Sequence, residues 1–253
     1  VIAIIPCRLG SKGIAGKNFR PLAGYAPVAW VAAAAKQAKS LDAIYVSTDA
    51  PERAKEALAP GIAGLNGGAP LGVWTRDASL ALDDTPDLPV FQDLLTRLGV
   101  TGFDDLVVHL RPTSPFVRPA DIDACVEFLQ TRWASSARAA LPAPCHPRKL
   151  YSARPGPDSE EYGGRDYTEL VPWDPHRHAA NAPRQLLEPV YRPVGYVDAI
   201  RACYIKNGSM EGPSVALWEP PEPDRCVELD DEADWARAEA LALERGWRPG
   251  EVG

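Results

Sequence analysis

Apolar residues fall along the chain in short blocks that end abruptly in polar ones. Val1–Pro6 is a continuous apolar run, the pattern of a strand buried on both faces. A polar, glycine-bearing loop follows from Arg8 to Asn18. Pro27 to Lys36 is alanine-rich and predicts a helix, with Pro27 suited to its first turn. Ala43–Val46 reads as a second strand that closes at Ser47, Thr48 and Asp49, and Pro51 to Ala57 as a short helix. Leu106–Leu110 predicts another buried strand, ending in Arg111-Pro112-Thr113-Ser114-Pro115. The helix expected after it starts near Asp121 and carries Val126, Leu129 and Trp133 on its buried face. Tyr191–Ile200 returns to strand-like texture, Ala216–Pro220 leads toward Val227–Leu229, and Glu232–Gly246 has the composition of a closing helix.

Apolar strands alternating with helices predict an α/β domain built on a parallel sheet flanked by helices. In such sheets ligands gather outside the carboxyl ends of the strands, where Arg8–Asn18 and Ser47–Asp49 both fall. Residues 142–189 differ: rich in Pro, Gly, Arg and His and without apolar periodicity, they read as an arm inserted into a single domain spanning 1–253.

Composition narrows the function classes. A formal net charge of −7 argues against general affinity for nucleic acid or anionic membranes, so any polyanion site must be a local basic pocket. No run of eighteen apolar residues occurs, and the cations near the start follow the first apolar block instead of preceding it, unlike a signal peptide. A residue or two is expected before Val1. Five scattered cysteines, with no paired spacing, fit reduced core thiols and a cytoplasmic protein better than disulfides or a thiolate metal site.

Chemistry concentrates in Arg8-Leu9-Gly10-Ser11-Lys12-Gly13-Ile14-Ala15-Gly16-Lys17-Asn18. Three glycines allow backbone N–H groups close to an anion, and Arg8, Lys12 and Lys17 can neutralise a triphosphate. It is not a Walker A loop, which needs Gly where Ser11 stands and Ser or Thr where Asn18 stands, and it holds no GxGxxG. A solvated basic surface loop is the alternative, and the position directly after the first buried strand favours phosphate binding.

This run resembles the opening of the acylneuraminate cytidylyltransferases, which make CMP-sialic acids and related CMP-nonulosonates. Their pattern RxxSKGxxxKN is met by Arg8, Ser11, Lys12, Gly13, Lys17 and Asn18. Further blocks agree in order: VSTD ending at Asp49, Arg76 with Leu80 to Pro86, RPTSPF at Arg111–Phe116, PRQ at Pro183–Gln185, and VELDDEAD at Val227–Asp234. The resemblance implies a Rossmann-like nucleotide-diphospho-sugar transferase fold with a mostly parallel central sheet, and a homodimer made through the inserted arm. It implies transfer of CMP from CTP to an acidic sugar with Mg²⁺ as cofactor. By the same resemblance, Arg8, Gly10, Ser11, Lys12 and Lys17 hold the phosphates, Asn18 lies near the nucleotide, and Arg76, Asp84, Thr85 and Asp87 belong to the cytosine and ribose region. Asp198 and Asp230 are the candidate metal ligands, Asp198 with Arg8 and Lys17 being assigned to catalysis; an N-terminal cap is the other reading of an acidic residue before a helix, as Asp230 is.

Arg111 stands where many sialic-acid-activating members have Gln, and is a candidate for either nucleotide or acceptor. Arg148, Lys149, Arg184 and Gln185 are candidates for the acceptor's anionic group, since paired cations suit carboxylates. His146 reads as structural, and His176 and His178 as a solvated loop. Val194 replaces the Asn common before Gly195, which leaves the acceptor open. The competing activities are a sugar-1-phosphate nucleotidyltransferase using GTP or CTP, and a phosphonate cytidylyltransferase; from another class, an inactive nucleotide-binding regulator.

Overall fold

The computed structural model describes residues 1–10, 13–155, 168–175 and 179–250. The chain divides into two compact units: Val1–Ala140 with Pro193–Gly253, and Leu141–Arg192.

In the first unit, β1 (Ile2–Pro6) is buried from Ile2 to Ile5, as its apolar run requires, with Pro6 partly exposed at its end. It pairs in parallel with β2 (Ala43–Thr48) on one side and β4 (Leu106–His109) on the other. β3 (Leu71–Thr75) continues the parallel ladder beyond β2. The sheet carries on through β8 (Tyr191–Arg201), antiparallel to β4, to β5 (Ser136–Pro142) and β9 (Val215–Trp218), a parallel pair. Strand order is therefore β3-β2-β1-β4-β8-β5-β9. The chain winds outward from β1 to β3 and then crosses to β4 on the opposite side of β1. That reversal opens a crevice between the carboxyl ends of β1 and β4, the place where open α/β sheets bind ligands.

Helix α1 (Pro27–Gln37) starts at a proline, and its alanines are completely buried. Small side chains let α2 (Pro51–Ile62) approach closely: a Cβ on Gly61 would lie 2.7 Å from the Ala29 Cβ. α3 (Asp87–Leu98) ends on Gly99 in the left-handed region (φ +69°), the usual stop for an L-residue helix. α4 (Pro119–Gln130) and the short α5 (Ala202–Lys206) complete the middle of the chain. α6 (Glu232–Arg245) begins with a capping box, in which the Asp231 carboxylate accepts from the Asp234 N–H and the Asp234 carboxylate returns the favour. Two cores result. Ile2, Ile4, Val107 and Ile200 pack with Phe91 and Leu94 of α3, while Ile14, Trp30, Phe116, Leu229 and Trp235 form the other.

Several expectations need correction. α4 starts at Pro119 with Asp121 in its first turn, as expected, but Trp133 lies beyond its end with 94% of its surface exposed. α2 runs on to Ile62, since Pro60 sits in its last turn. β3, α3 and β5 lacked a decisive apolar pattern; β3 is a half-exposed edge strand held by its ladder with β2.

The second unit contains the antiparallel pair β6 (Tyr151–Pro155) and β7 (Thr168–Pro172), with 3₁₀ turns at Pro147–Lys149 and Arg184–Leu186. His146 caps the first turn, its Nδ1 accepting from the Arg148 N–H at 3.1 Å.

Candidate active site

An open cleft of about 370 Å³ lies at the carboxyl ends of β1 and β4. The cationic loop forms one wall. Buried Ile14 pins it into the second core, and Gly13 presses on the Asp230 carbonyl, where a Cβ would come within 2.8 Å. Gly16 takes φ +60°, which lets the chain turn so that Lys17 re-enters the cleft. Lys17 Nζ donates to the Leu229 carbonyl at 2.5 Å and sits 3.8 Å from the Asp230 carboxylate. Asn18 is buried and ties the loop together, its Nδ2 donating to the Arg8 carbonyl at 2.9 Å. Arg8 crosses the cleft mouth to the Leu82 carbonyl (2.7 Å) and Asp83 (3.2 Å).

The opposite wall and floor come from the segment after β3, the start of α3 and the end of β4. Arg76 is buried and donates to the Leu80 carbonyl at 3.2 Å; its burial pulls the guanidinium below its usual pKa, opposed chiefly by Asp49. His109, the last residue of β4, is 1% exposed, and neither ring nitrogen has a hydrogen-bond partner. Its Nε2 is 3.6 Å from Asp87, beyond hydrogen-bond range. Burial pushes the imidazole pKa well below its ordinary value, and Arg111 and Arg138 push it the same way, so the ring is neutral near pH 7 and the contact with Asp87 is not an ion pair. Two residues on, Arg111 also faces the cleft. Its Nη2 donates to Asp198 at 2.9 Å, while Nη1 is buried without a partner. Asp198, 2% exposed, stands opposite His109 in the β4–β8 register and also meets Arg138 at 3.4 Å; Arg138 in turn pairs with Glu211. Four concentrated positive groups thus face the cleft of a net-negative protein.

A family model described as cytidylyltransferase matches residues 2–142, more than half of the chain. The chain belongs to the cytidylyltransferase family. Among individual proteins, the CMP-N,N'-diacetyllegionaminic acid synthase of Legionella pneumophila is 38% identical over 129 residues, covering 51% of this chain and 52% of that one. N-acylneuraminate cytidylyltransferase A of Danio rerio is 26% identical over 247 residues, 98% of this chain and 52% of its own length. The chain thus spans about half the length of the curated relatives it matches. A solved CMP:2-keto-3-deoxy-manno-octonic acid synthetase complexed with CTP superposes with a TM-score of 0.62 at 16% identity, covering 96% of this chain and 98% of that chain, which establishes a shared fold.

In this cytidylyltransferase-family chain the cleft brings together Arg8, Gly10, Lys17, Asn18, Arg76, Thr85, Asp87 and Arg111 from four separate parts of the sequence. Asp84 does not line it. Ser11 and Lys12 lie outside the described residues, as do His176 and His178. Asp198 and Asp230 contact the cleft through Arg111 and Lys17 respectively. Asp231, not Asp230, is the cap of α6, so the Asp230 carboxylate is 77% exposed and not engaged in capping. Arg148, Lys149, Arg184 and Gln185 belong to the second unit. There Arg148 pairs with Glu188 at 2.7 Å and Lys149 donates to the Ala182 carbonyl at 2.8 Å. Arg184 and Gln185 share a 3₁₀ turn.

Two residues of the first unit escaped the sequence reading. His109 sits inside an apolar strand with nothing to mark it, and Arg138 lies in β5, whose alanines gave no signal. Only the period-two spacing from Arg111 to His109 hinted that both share a face. Gly195 is a packing requirement: a Cβ would meet Glu228, Ser114 and the Arg111 side chain at 3.0 to 3.2 Å. Cys7, although next to the loop, is fully buried, and burial pushes its thiol far above the usual range, so it is no nucleophile.

Proposed function

We propose that the protein transfers CMP from CTP to an acidic sugar, a sialic acid or related nonulosonic acid. The acceptor's anomeric hydroxyl oxygen bonds to the α-phosphorus, the bond from that phosphorus to the bridging oxygen breaks, pyrophosphate leaves, and the hydroxyl proton passes to solvent or a cleft base. The observation that carries this reading is the convergence of Arg8, Lys17, Arg76 and Arg111 on one cleft at the β1–β4 reversal. Preorganised cations there oppose the charge that builds on the triphosphate in the transition state, and cost no rearrangement during reaction. Lys17, held between Leu229 and Asp230, and Arg8 are the phosphate-contacting catalytic groups. Arg111 offers its unpartnered Nη1 to the acceptor's anionic group, with Asp198 fixing its other nitrogen.

Mg²⁺ is the expected cofactor, and the donor chemistry fits it. Asp230 presents an exposed carboxylate beside Lys17, and Asp198 Oδ1 is an oxygen without a partner, although its Oδ2 already serves Arg111 and Arg138. No cluster of three or more His, Cys, Asp or Glu that could hold a metal occurs among the described residues, which suits a hard cation that takes most of its coordination from phosphate and water. When bound, magnesium supplies charge neutralisation on the phosphate oxygens.

We assign the second unit to homodimerisation: Leu170, Trp173 and Leu186 are each more than 60% exposed, apolar side chains suited to contact with a second copy. A cytoplasmic location accords with five free cysteines, and no helix among the described residues is long and apolar enough to cross a membrane.

The test is pyrophosphate release with Mg²⁺ and each nucleoside triphosphate, against nonulosonic acids, sugar 1-phosphates and phosphonates. Turnover with CTP and a nonulosonic acid is expected. Release confined to GTP with a sugar phosphate overturns the reading.

A further inference from the structure

The tripeptide Leu-Asp-Asp occurs twice in the chain, at residues 82–84 and 229–231. Each copy holds one of the two phosphate-facing cations, and in the same way. Arg8 donates to the Leu82 carbonyl at 2.7 Å, with the Asp83 carboxylate at 3.2 Å. Lys17 donates to the Leu229 carbonyl at 2.5 Å, with the Asp230 carboxylate at 3.8 Å. Backbone hydrogen bonds steady both leucines: the Leu82 carbonyl also receives the Thr85 N–H, and the Leu229 N–H donates to the Thr113 carbonyl. The Arg8 and Lys17 side chains are 28% and 15% exposed, those of Asp83 and Asp230 43% and 77%. In each pair, therefore, the cation is the anchored partner and the carboxylate the one that can turn toward solvent.

We infer that Asp83 and Asp230 are built-in counter-ions of the phosphate site, which occupy Arg8 and Lys17 between turnovers, yield them to the triphosphate, and reclaim them as pyrophosphate leaves. The assignment rests on the cytidylyl-transfer reading and adds to it positioning residues that act through the two cations. A carboxylate within 4 Å of a cation weakens that cation's hold on any phosphate, whether it belongs to substrate or product. Uniformly tight phosphate binding lowers KM without raising kcat, and it slows the departure of pyrophosphate. A counter-ion removes that uniform part. The carbonyls meanwhile keep each cation aimed into the cleft, so the charge that stabilises the transition state is in place when the triphosphate enters.

The experiment is calorimetric titration of the whole chain with inorganic pyrophosphate, for the native protein, Asp83→Asn, Asp83→Glu and Asp230→Asn. EDTA is present throughout, so that any magnesium role of Asp230 plays no part. Circular dichroism melts establish that each variant is folded; asparagine keeps the shape of aspartate and removes only its charge. Each asparagine variant is expected to bind pyrophosphate about two- to fivefold more tightly than the native protein, the range an exposed ion pair supplies. Asp83→Glu keeps the charge and should stay near the native value. The gain should shrink at about 1 M salt, where the screening length falls to about 3 Å. In turnover with CTP and Mg²⁺, Asp83→Asn should lower the KM for CTP and deepen inhibition by pyrophosphate by a similar factor. Mere structural damage would weaken phosphate binding, not tighten it. Pyrophosphate affinity that is unchanged or weaker in both asparagine variants, with CTP binding intact, overturns the counter-ion assignment alone. Absence of any CTP binding by the native protein with Mg²⁺ overturns cytidylyl transfer itself.

Discussion

The two walls of the cleft are built in opposite ways. The loop after β1 keeps its charges local: Arg8 and Lys17 stand nine residues apart, on a turn shaped by Gly13 and Gly16 and pinned by Ile14. The wall at the end of β4 is assembled across the sheet, from His109 and Arg111 on β4 and its extension, Asp198 on β8 and Arg138 on β5. On the first wall each cation is held mainly by a backbone carbonyl, Arg8 by that of Leu82 and Lys17 by that of Leu229. On the second, Arg111 and Arg138 share one buried carboxylate, that of Asp198, which is 2% exposed. Cations held by carbonyls can turn to a ligand and act on rate; those that share a buried carboxylate act on stability and geometry as well.

That difference makes the second wall the place of the largest stability effect. Asp198→Ala would leave two neighbouring guanidiniums without the buried carboxylate they share, and should cost about 3–5 kcal/mol of unfolding free energy in a denaturant titration. A loss below about 1 kcal/mol would mean that water already solvates the pair. On the first wall, Lys17→Ala should leave stability nearly intact and lower turnover about a hundredfold, near 2.7 kcal/mol of transition-state stabilisation, in a pyrophosphate-release assay. Undiminished turnover would remove Lys17 from the site and erase the contrast.

The pH response separates the walls again. The folded-state pKa of His109 is depressed, so between that value and the unfolded value near 6.5 the unfolded chain binds a proton that the folded chain does not. Stability is therefore complete above the unfolded pKa and falls as pH drops below it, by about 1.4 kcal/mol per pH unit from this group. Thermal melts from pH 7 to pH 5 should show the fall, and His109→Leu should flatten that part of the slope. The smallest effect belongs outside both walls. Asp231→Ala removes the cap of α6 and should cost about 1 kcal/mol, measured by thermal melt, with activity per folded molecule unchanged.

Much of the first wall was legible in order of residues, because its contacts are close in sequence. A buried strand, a glycine-bearing turn and regularly spaced cations need no distant partner to be recognised. α1 and α6 were equally plain, from an alanine run after Pro27 and from an acidic start with a basic last turn. Trp133 misled because its spacing continued the helical pattern of Val126 and Leu129 past the point where α4 stops. β5 and α3 are not legible in the sequence, since alanine and mixed polar residues carry weak periodicity, and tertiary packing, not propensity, decides their state.

The order of residues alone determined the α/β class and the position of the cationic loop at a strand end. Those follow from local rules: apolar runs must be buried, and glycine and proline punctuate the backbone. Only the tertiary structure decided that Asp198 meets Arg111 and Arg138, that Asp231 and not Asp230 caps α6, and that His109 sits unpartnered on the cleft floor. The first and the last depend on which strands lie side by side and in what register. A β4–β8 pairing shifted by one residue would turn Asp198 to the other face of the sheet, and nothing in either strand's own sequence reveals that choice.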